Sequence, residues 1–346
     1  MELKCAIQTY NWGKHGMDSI VATLMKSANA DFVVDEQKTY AELWMGIHEN
    51  GASYLKDTDV SLQKYIQENT KVLGSDTIQM FGPNLPFLFK VLSINKALSI
   101  QVHPNKEKAK ELYELYPNIY KDPNHKPELA IALTPFEALC GFRPINEIND
   151  YLNNIPELLS VIGETNVRRL LQATDSMIGD ALQQCFYSLM TCDSNEVTRQ
   201  LKSLIDRLHN TDCIECMACS DNVIRAGLTP KPKDVPTLIQ IMSFECESAS
   251  AKKIQPFRED VFTEVFRPPV SDFAVAKITL PPGRPSHNLK LRSSASILLI
   301  VSGKAEISSK IFSRGSVLFI PANEAVEIKV LCGCHPMLMF QAFPNL

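Results

Sequence analysis

The sequence predicts a mainly β chain of jelly-roll type, interrupted by a helical insertion. Three observations carry this. Short apolar runs punctuated by proline and glycine dominate 1–144, apolar residues recur at three and four across 145–210, and short strands separated by turns return over 257–346. Between them, 211–256 is dense in polar and special residues. At 346 residues the chain exceeds what one core usually serves, so two or three domains are expected. With 45% hydrophobic and 21% charged residues it has ample core material, which argues against large-scale disorder.

In the first region, 85–92 and 98–103 read as strands. Asn105 is a suitable N-cap, 106–116 carries good helix formers, and Pro117 stops the helix. In the second region the helical period is set by Leu152, Ile155, Leu158, Leu159 and Ile162, and again by Leu201, Leu204, Ile205 and Leu208. In the last region strands are expected at 273–280, 297–301, 317–320, 326–330 and 337–340. Pro281-Pro282-Gly283 and Ser302-Gly303 mark turns there.

Composition excludes some functions. A net charge of −4 leaves no basic excess for a general nucleic-acid binder. The longest aliphatic run, 297–301, is too short to span a bilayer, so no membrane partner is expected. Residues 1–10 carry no apolar signal core, and the ten cysteines are then read as reduced thiols of a cytoplasmic protein.

Two constellations bear on chemistry. On a strand, Gln101 and His103 point to one face, and an amide oxygen beside an imidazole nitrogen makes half a metal site. Glu128 follows 25 residues after His103, beyond the helix, and a strand-helix-strand path can return it to the pair. One His, one Gln and one Glu suit zinc or a similar borderline cation, although Gln-x-His on a strand is also a common structural pattern. In the second constellation, Arg225 and Lys231 flank Gly227 and Pro230. A guanidinium fork and a lysine match a phosphate, but from spacing alone solvated surface charges are the better reading. Cys213, Cys216 and Cys219 echo an iron–sulfur run without its fourth cysteine, and read as neutral thiols. Cys332 and Cys334 beside His335 read as a strand-end coincidence, and His15, His48 and His287 as structural.

Longer strings say more than spacing. Leu85-Pro-Phe-Leu-Phe-Lys-Val-Leu, Leu98-Ser-Ile-Gln-Val-His-Pro-Asn-Lys and Asn124-His-Lys-Pro-Glu-Leu-Ala-Ile-Ala-Leu-Thr-Pro-Phe resemble type I mannose-6-phosphate isomerases (phosphomannose isomerases). So do Gln8-Thr-Tyr-Asn-Trp-Gly, Tyr40-Ala-Glu-Leu-Trp-Met-Gly and the segment from Cys213 to Lys231. The resemblance covers nearly the whole chain. It implies cupin-like jelly-roll barrels with a helical insertion domain. The expected division is a first catalytic part at 1–144, a helical domain at 145–210, a return to the central barrel at 211–256 and a C-terminal jelly roll at 257–346. It implies interconversion of mannose 6-phosphate and fructose 6-phosphate, the supply of GDP-mannose for glycosylation, and a monomer that binds a small sugar phosphate. It implies one zinc ion per chain, with Gln101, His103 and Glu128 on ligand positions. Arg225 falls on the catalytic arginine, and Ser99, Lys126, Glu215 and Lys231 on positions lining the pocket. Glu215 is a candidate for the general base.

The chain departs from that pattern before Thr211. The family carries there a strand and a Pro-His that supplies a further zinc ligand; here the helical region reaches His209-Asn210 and meets Thr211 directly, so several tens of residues are absent. His209 is a poor substitute, because it follows a helical pattern rather than a strand. The stretch from Gly315 to Val326 echoes the absent strand, but Ala325-Val326 stands where the ligand would be. Three ligands plus water can still hold catalytic zinc. A barrel short of strands exposes edges. The alternative expectation is a non-catalytic cupin remnant, a truncated isoform or gene-model product, with weak or no metal binding.

Overall fold

The computed structural model of the protein describes residues 1–193, 195–196, 211–227, 231–331 and 335–346. The periodic run through Leu201, Leu204, Ile205 and Leu208, together with His209, Pro230, Cys332 and Cys334, lies outside the described residues.

A five-stranded antiparallel sheet carries the first region. Its order is Ala6–Gln8, Glu42–Met45, Phe87–Ile94, Thr211–Ala218, Glu128–Ala132. The central strand starts two residues later than the sequence predicts, because Pro86 has no N–H for the ladder. Its near-continuous apolar run is buried on both faces. Phe87, Phe89 and Val91 enter the main core, while Leu88 turns to the opposite face with Trp44 and Met217. Lys90 shares that opposite face by the two-residue alternation of a strand. At the sheet edge, Glu128–Ala132 buries Leu129 and Ile131 and leaves Glu128, Ala130 and Ala132 open.

The predicted helix after Asn105 is Lys106–Leu115, and the Asn105 side chain accepts from the Lys108 N–H at 2.9 Å. The insertion holds Ile145–Asn154, Pro156–Ile162, Glu164–Leu171 and Ile178–Thr191 around a core of Leu152, Ile162, Val167, Leu170, Ala181, Leu182 and Cys185. The single apolar period through Leu152 and Ile162 is thus split between two helices. Pro156 cannot continue the first and instead opens the second.

The last region forms an eight-stranded sheet facing a four-stranded one. Ser296–Ser302 explains the aliphatic run: Ile297, Leu299 and Val301 face the core shared with the five-stranded sheet, and Leu298 and Ile300 face the core under the four-stranded sheet. Two strands from the first region, Glu2–Lys4 and Tyr54–Leu55, complete the eight-stranded sheet. Leu3 stands opposite Val317, and the Phe319 carbonyl accepts from the Met1 amino group at 2.9 Å.

Candidate active site

The expected strand at 98–103 forms as Ile100–Val102 and pairs antiparallel with Ile224–Ala226, with Gln101 opposite Arg225. His103 follows directly. Its Nδ1 lies 3.3 Å from the Asn222 carbonyl oxygen, and its Nε2 lies 3.2 Å from Glu128 Oε2. Glu128 opens the edge strand, and its other oxygen is 3.3 Å from Lys126 Nζ. The structure therefore joins three predicted residues, His103, Glu128 and Lys126, through two oxygens of one carboxylate. The half-buried Gln101 makes no hydrogen bond to His103 or Glu128. Arg225 is also half-buried and donates to Ser99 Oγ at 2.7 Å.

Glu215 projects from Thr211–Ala218 opposite Lys90. Lys90 Nζ is 2.9 Å from Glu215 Oε2 and 3.3 Å from Glu42 Oε2. It also lies over the Trp44 ring, 5.1 Å from its centroid, and Trp44 Nε1 donates to Glu42. Sequence reasoning missed Lys90 and Glu42. The available signal was a single lysine inside an otherwise apolar strand, since a buried ammonium needs carboxylate partners.

The two carboxylates nearest the centre are pushed apart. Burial drives the Glu215 carboxyl up; Lys90 opposes this, but the charges of Glu128 and Glu42 add to it. Burial would also raise Glu128, but the His103 hydrogen bond, then the charges of His103, Lys126 and Lys90, outweigh it and hold Glu128 at about 2. With 31% of its side chain exposed, water screens part of that effect. Opposed shifts on neighbouring carboxylates divide them into a firmly ionised group and one that takes up a proton more readily. Burial lowers Lys231, and the charge of Arg225 pushes the same way, so these two cations sit within electrostatic reach.

Zinc is the ion implied by the donor types, and the geometry suits it. The Asn222 carbonyl and the Glu128 carboxylate can both only accept, so each ring nitrogen of His103 faces an acceptor, Nδ1 the carbonyl and Nε2 the carboxylate. Nε2 and Glu128 Oε2 would become ligands where a cation displaces the proton between them. The 3.2 Å separation is close to the edge of about 3.4 Å between two donors on a tetrahedral zinc with ordinary bond lengths. The buttressing carbonyl is the usual partner of a metal-binding imidazole. Among the described residues no cluster of three His, Cys, Asp or Glu is present, consistent with a third donor that is an amide. His125 is bound to Asp272 at 3.2 Å, and His48 stands 3.5 Å from Asp221. Burial pushes the Cys219 thiol up to about 12, as befits a neutral thiol rather than a metal thiolate.

Comparison with known proteins identifies the family. A family profile described as phosphomannose isomerase type I, catalytic domain, matches residues 1–145. The mannose-6-phosphate isomerase of Macaca fascicularis is 39% identical over 412 aligned positions that cover 98% of this chain and 97% of the relative. That alignment exceeds the 346 residues present, so at least 66 positions of the relative stand opposite gaps. A variant of the phosphomannose isomerase from Salmonella typhimurium superposes with a TM-score of 0.82 at 28% identity, covering 100% of this chain and 99% of that one. A mannose 6-phosphate isomerase solved with zinc and yttrium gives a TM-score of 0.80 at 28% identity, over the same shares. With a relative this similar across almost its full length, the chain belongs to the type I phosphomannose isomerase family.

Proposed function

We propose that this chain is an aldose–ketose isomerase that interconverts mannose 6-phosphate and fructose 6-phosphate. The observation that carries this is the convergence of His103, Lys126 and Glu128 at the edge of the sheet whose next strand holds Glu215 against Lys90. Gln101, His103 and Glu128 would hold one zinc ion, whose contribution is to polarise the sugar's carbonyl and hydroxyl oxygens. Glu215, with its raised carboxyl, is suited to take the proton from C2 and return it to C1. Lys90 keeps that carboxylate charged when it acts as base. Arg225, fixed by Ser99, faces the oxyanion of the enediol as it forms. Lys231 beside it meets the phosphate, and Lys126 holds the Glu128 carboxylate in place.

The same reading supplies GDP-mannose for glycosylation, in a monomeric, cytoplasmic protein with no nucleic-acid or membrane partner. No helix among the described residues is long and apolar enough to cross a membrane. The division at 1–144, 145–210, 211–256 and 257–346 is proposed with it. No observation favours the non-catalytic alternative.

The test is isomerase activity of the purified 346-residue chain with zinc supplied. Activity is expected, abolished by chelator and reduced at least a hundredfold (~10²) by Arg225→Ala. A folded chain without activity under those conditions overturns the proposal.

A further inference from the structure

Residues 122–127 run into the edge strand Glu128–Ala132 as neither helix nor strand, and they deliver Lys126 and Glu128 to the site. A stretch with no ladder of its own takes its position from other bonds. At its start, the Asp122 carboxylate accepts from Ser220 Oγ at 2.9 Å and from the Asp221 N–H at 3.0 Å. At its middle, His125 Nε2 lies 3.2 Å from both oxygens of Asp272. A carboxylate can only accept, so Nε2 donates to it. Asp272 belongs to the C-terminal region and is 3% exposed; a carboxylate buried alone is costly, and the imidazole N–H offsets that cost. Asp272 is itself held firmly. Phe273 enters the main core, and Ala274–Leu280 follows as a strand between Thr263–Phe266 and Met337–Phe343. The turn before it is pinned by Asn345, whose Nδ2 donates to the carbonyls of Pro268 and Val270 at 3.0 and 2.8 Å and whose N–H donates to the Ser271 carbonyl at 2.9 Å.

We propose that Asp272 is a positioning residue: through His125 it anchors the segment that presents Lys126 and Glu128, so the C-terminal sheet takes part in orienting them. His103 Nε2 and Lys126 Nζ hold opposite oxygens of Glu128 at 3.2 and 3.3 Å. A displacement of the segment by about 1 Å would release one of these contacts, and misplacement of that size can cost about a hundredfold in rate. His125 is the residue next to Lys126 and three before Glu128, so a bond at its ring constrains both. The consequence for isomerisation rests on the function proposed above; the anchoring itself does not.

The test compares the full chain with Asp272→Ala, Asp272→Asn, His125→Ala and the double alanine variant. Backbone hydrogen exchange reads the anchoring without reference to activity. Exchange in peptides covering 122–132 is expected to rise about tenfold in Asp272→Ala, and in His125→Ala, which removes the same bond from its other end. Asp272→Asn keeps an oxygen that accepts from Nε2 and should restore most of the protection. Unchanged exchange at 122–132, or a rise of equal size throughout the chain, overturns the proposal. Kinetics with zinc and mannose 6-phosphate form the second arm. In Asp272→Ala, kcat should fall about ten- to a hundredfold while KM moves far less, and Asp272→Asn should recover most of the rate. The double variant should be no slower than His125→Ala, because one residue acts through the other. A folded Asp272→Ala chain with native kcat, or losses that multiply in the double variant, overturns the positioning role. A native chain with no isomerase activity sinks the function proposed above, and the exchange measurement then decides the anchoring.

Discussion

Lys90 sets the electrostatics of the site at the scale of single residues. Burial alone would lower its pKa, yet Glu215 and Glu42 together raise it, so the ammonium stays charged throughout the neutral range. Removing it leaves two buried carboxylates facing each other across an apolar strand. Lys90→Met is therefore expected to cost about 3–5 kcal/mol in denaturant unfolding at pH 8. The sign with pH follows from Glu215. A carboxyl raised in the folded state opposes folding when ionised, and that penalty fades as pH falls through its raised pKa. The deficit of the variant should narrow between pH 8 and pH 5. A deficit that is constant or grows over that range would show that Glu215 is not the group being compensated. Lys90 was present in the sequence reading only as part of a strand. Its partners come from Glu42–Met45 and Thr211–Ala218, and nothing local in either segment announces them.

At the scale of elements, local chemistry predicts well where caps and breakers act. Asn105 starts its helix as expected, and Pro156 divides the first helical period. The helix Val235–Ile241 went unpredicted because it is short and lies in a segment rich in lysine and proline. It matters for the site. Its Leu238 and Ile239 pack with Ile224 and Ala226, which flank Arg225. Asp234 caps it by accepting from the Thr237 N–H at 3.1 Å, and also accepts from Tyr120 Oη at 2.6 Å. Asp234→Ala should cost about 1–2 kcal/mol, and Tyr120→Phe, which keeps the cap, about 1 kcal/mol, both read from chemical unfolding. Equal losses from the two variants would assign the stabilisation to the Tyr120 bond and none of it to the cap.

On the scale of the whole molecule, the two ends of the chain are one structure. Glu2–Lys4 lies beside Val317–Ile320, and the main core mixes Phe87, Phe89 and Val91 with Ile297, Phe319 and Phe340. Gly315 shows how close this packing is. Its φ is +86°, and a Cβ there would lie 2.0 Å from the Leu24 carbonyl oxygen of the helix Ile20–Ala28. Gly315→Ala thus combines a disfavoured backbone with a backbone collision, and should cost well over ~1 kcal/mol. Calorimetry should show one transition shifted downward, because the C-terminal sheet cannot loosen without the first region. A second, separate transition for 257–346 would contradict that coupling.

The sequence by itself determined the periodicities, the helix start at Asn105 and, through long strings, the family. These are short-range properties: alternation, capping and donor type are set by residues a few positions apart, and a motif survives as a string. Tertiary structure alone decided that Lys90 bridges Glu42 and Glu215, that Asn222 holds the His103 ring, and that the N-terminal strand closes the C-terminal sheet. Each of these depends on strand register and loop docking between segments far apart in the chain. A contact of that kind is fixed by which faces the whole core buries, and a one-residue slip would replace every partner without altering any local pattern.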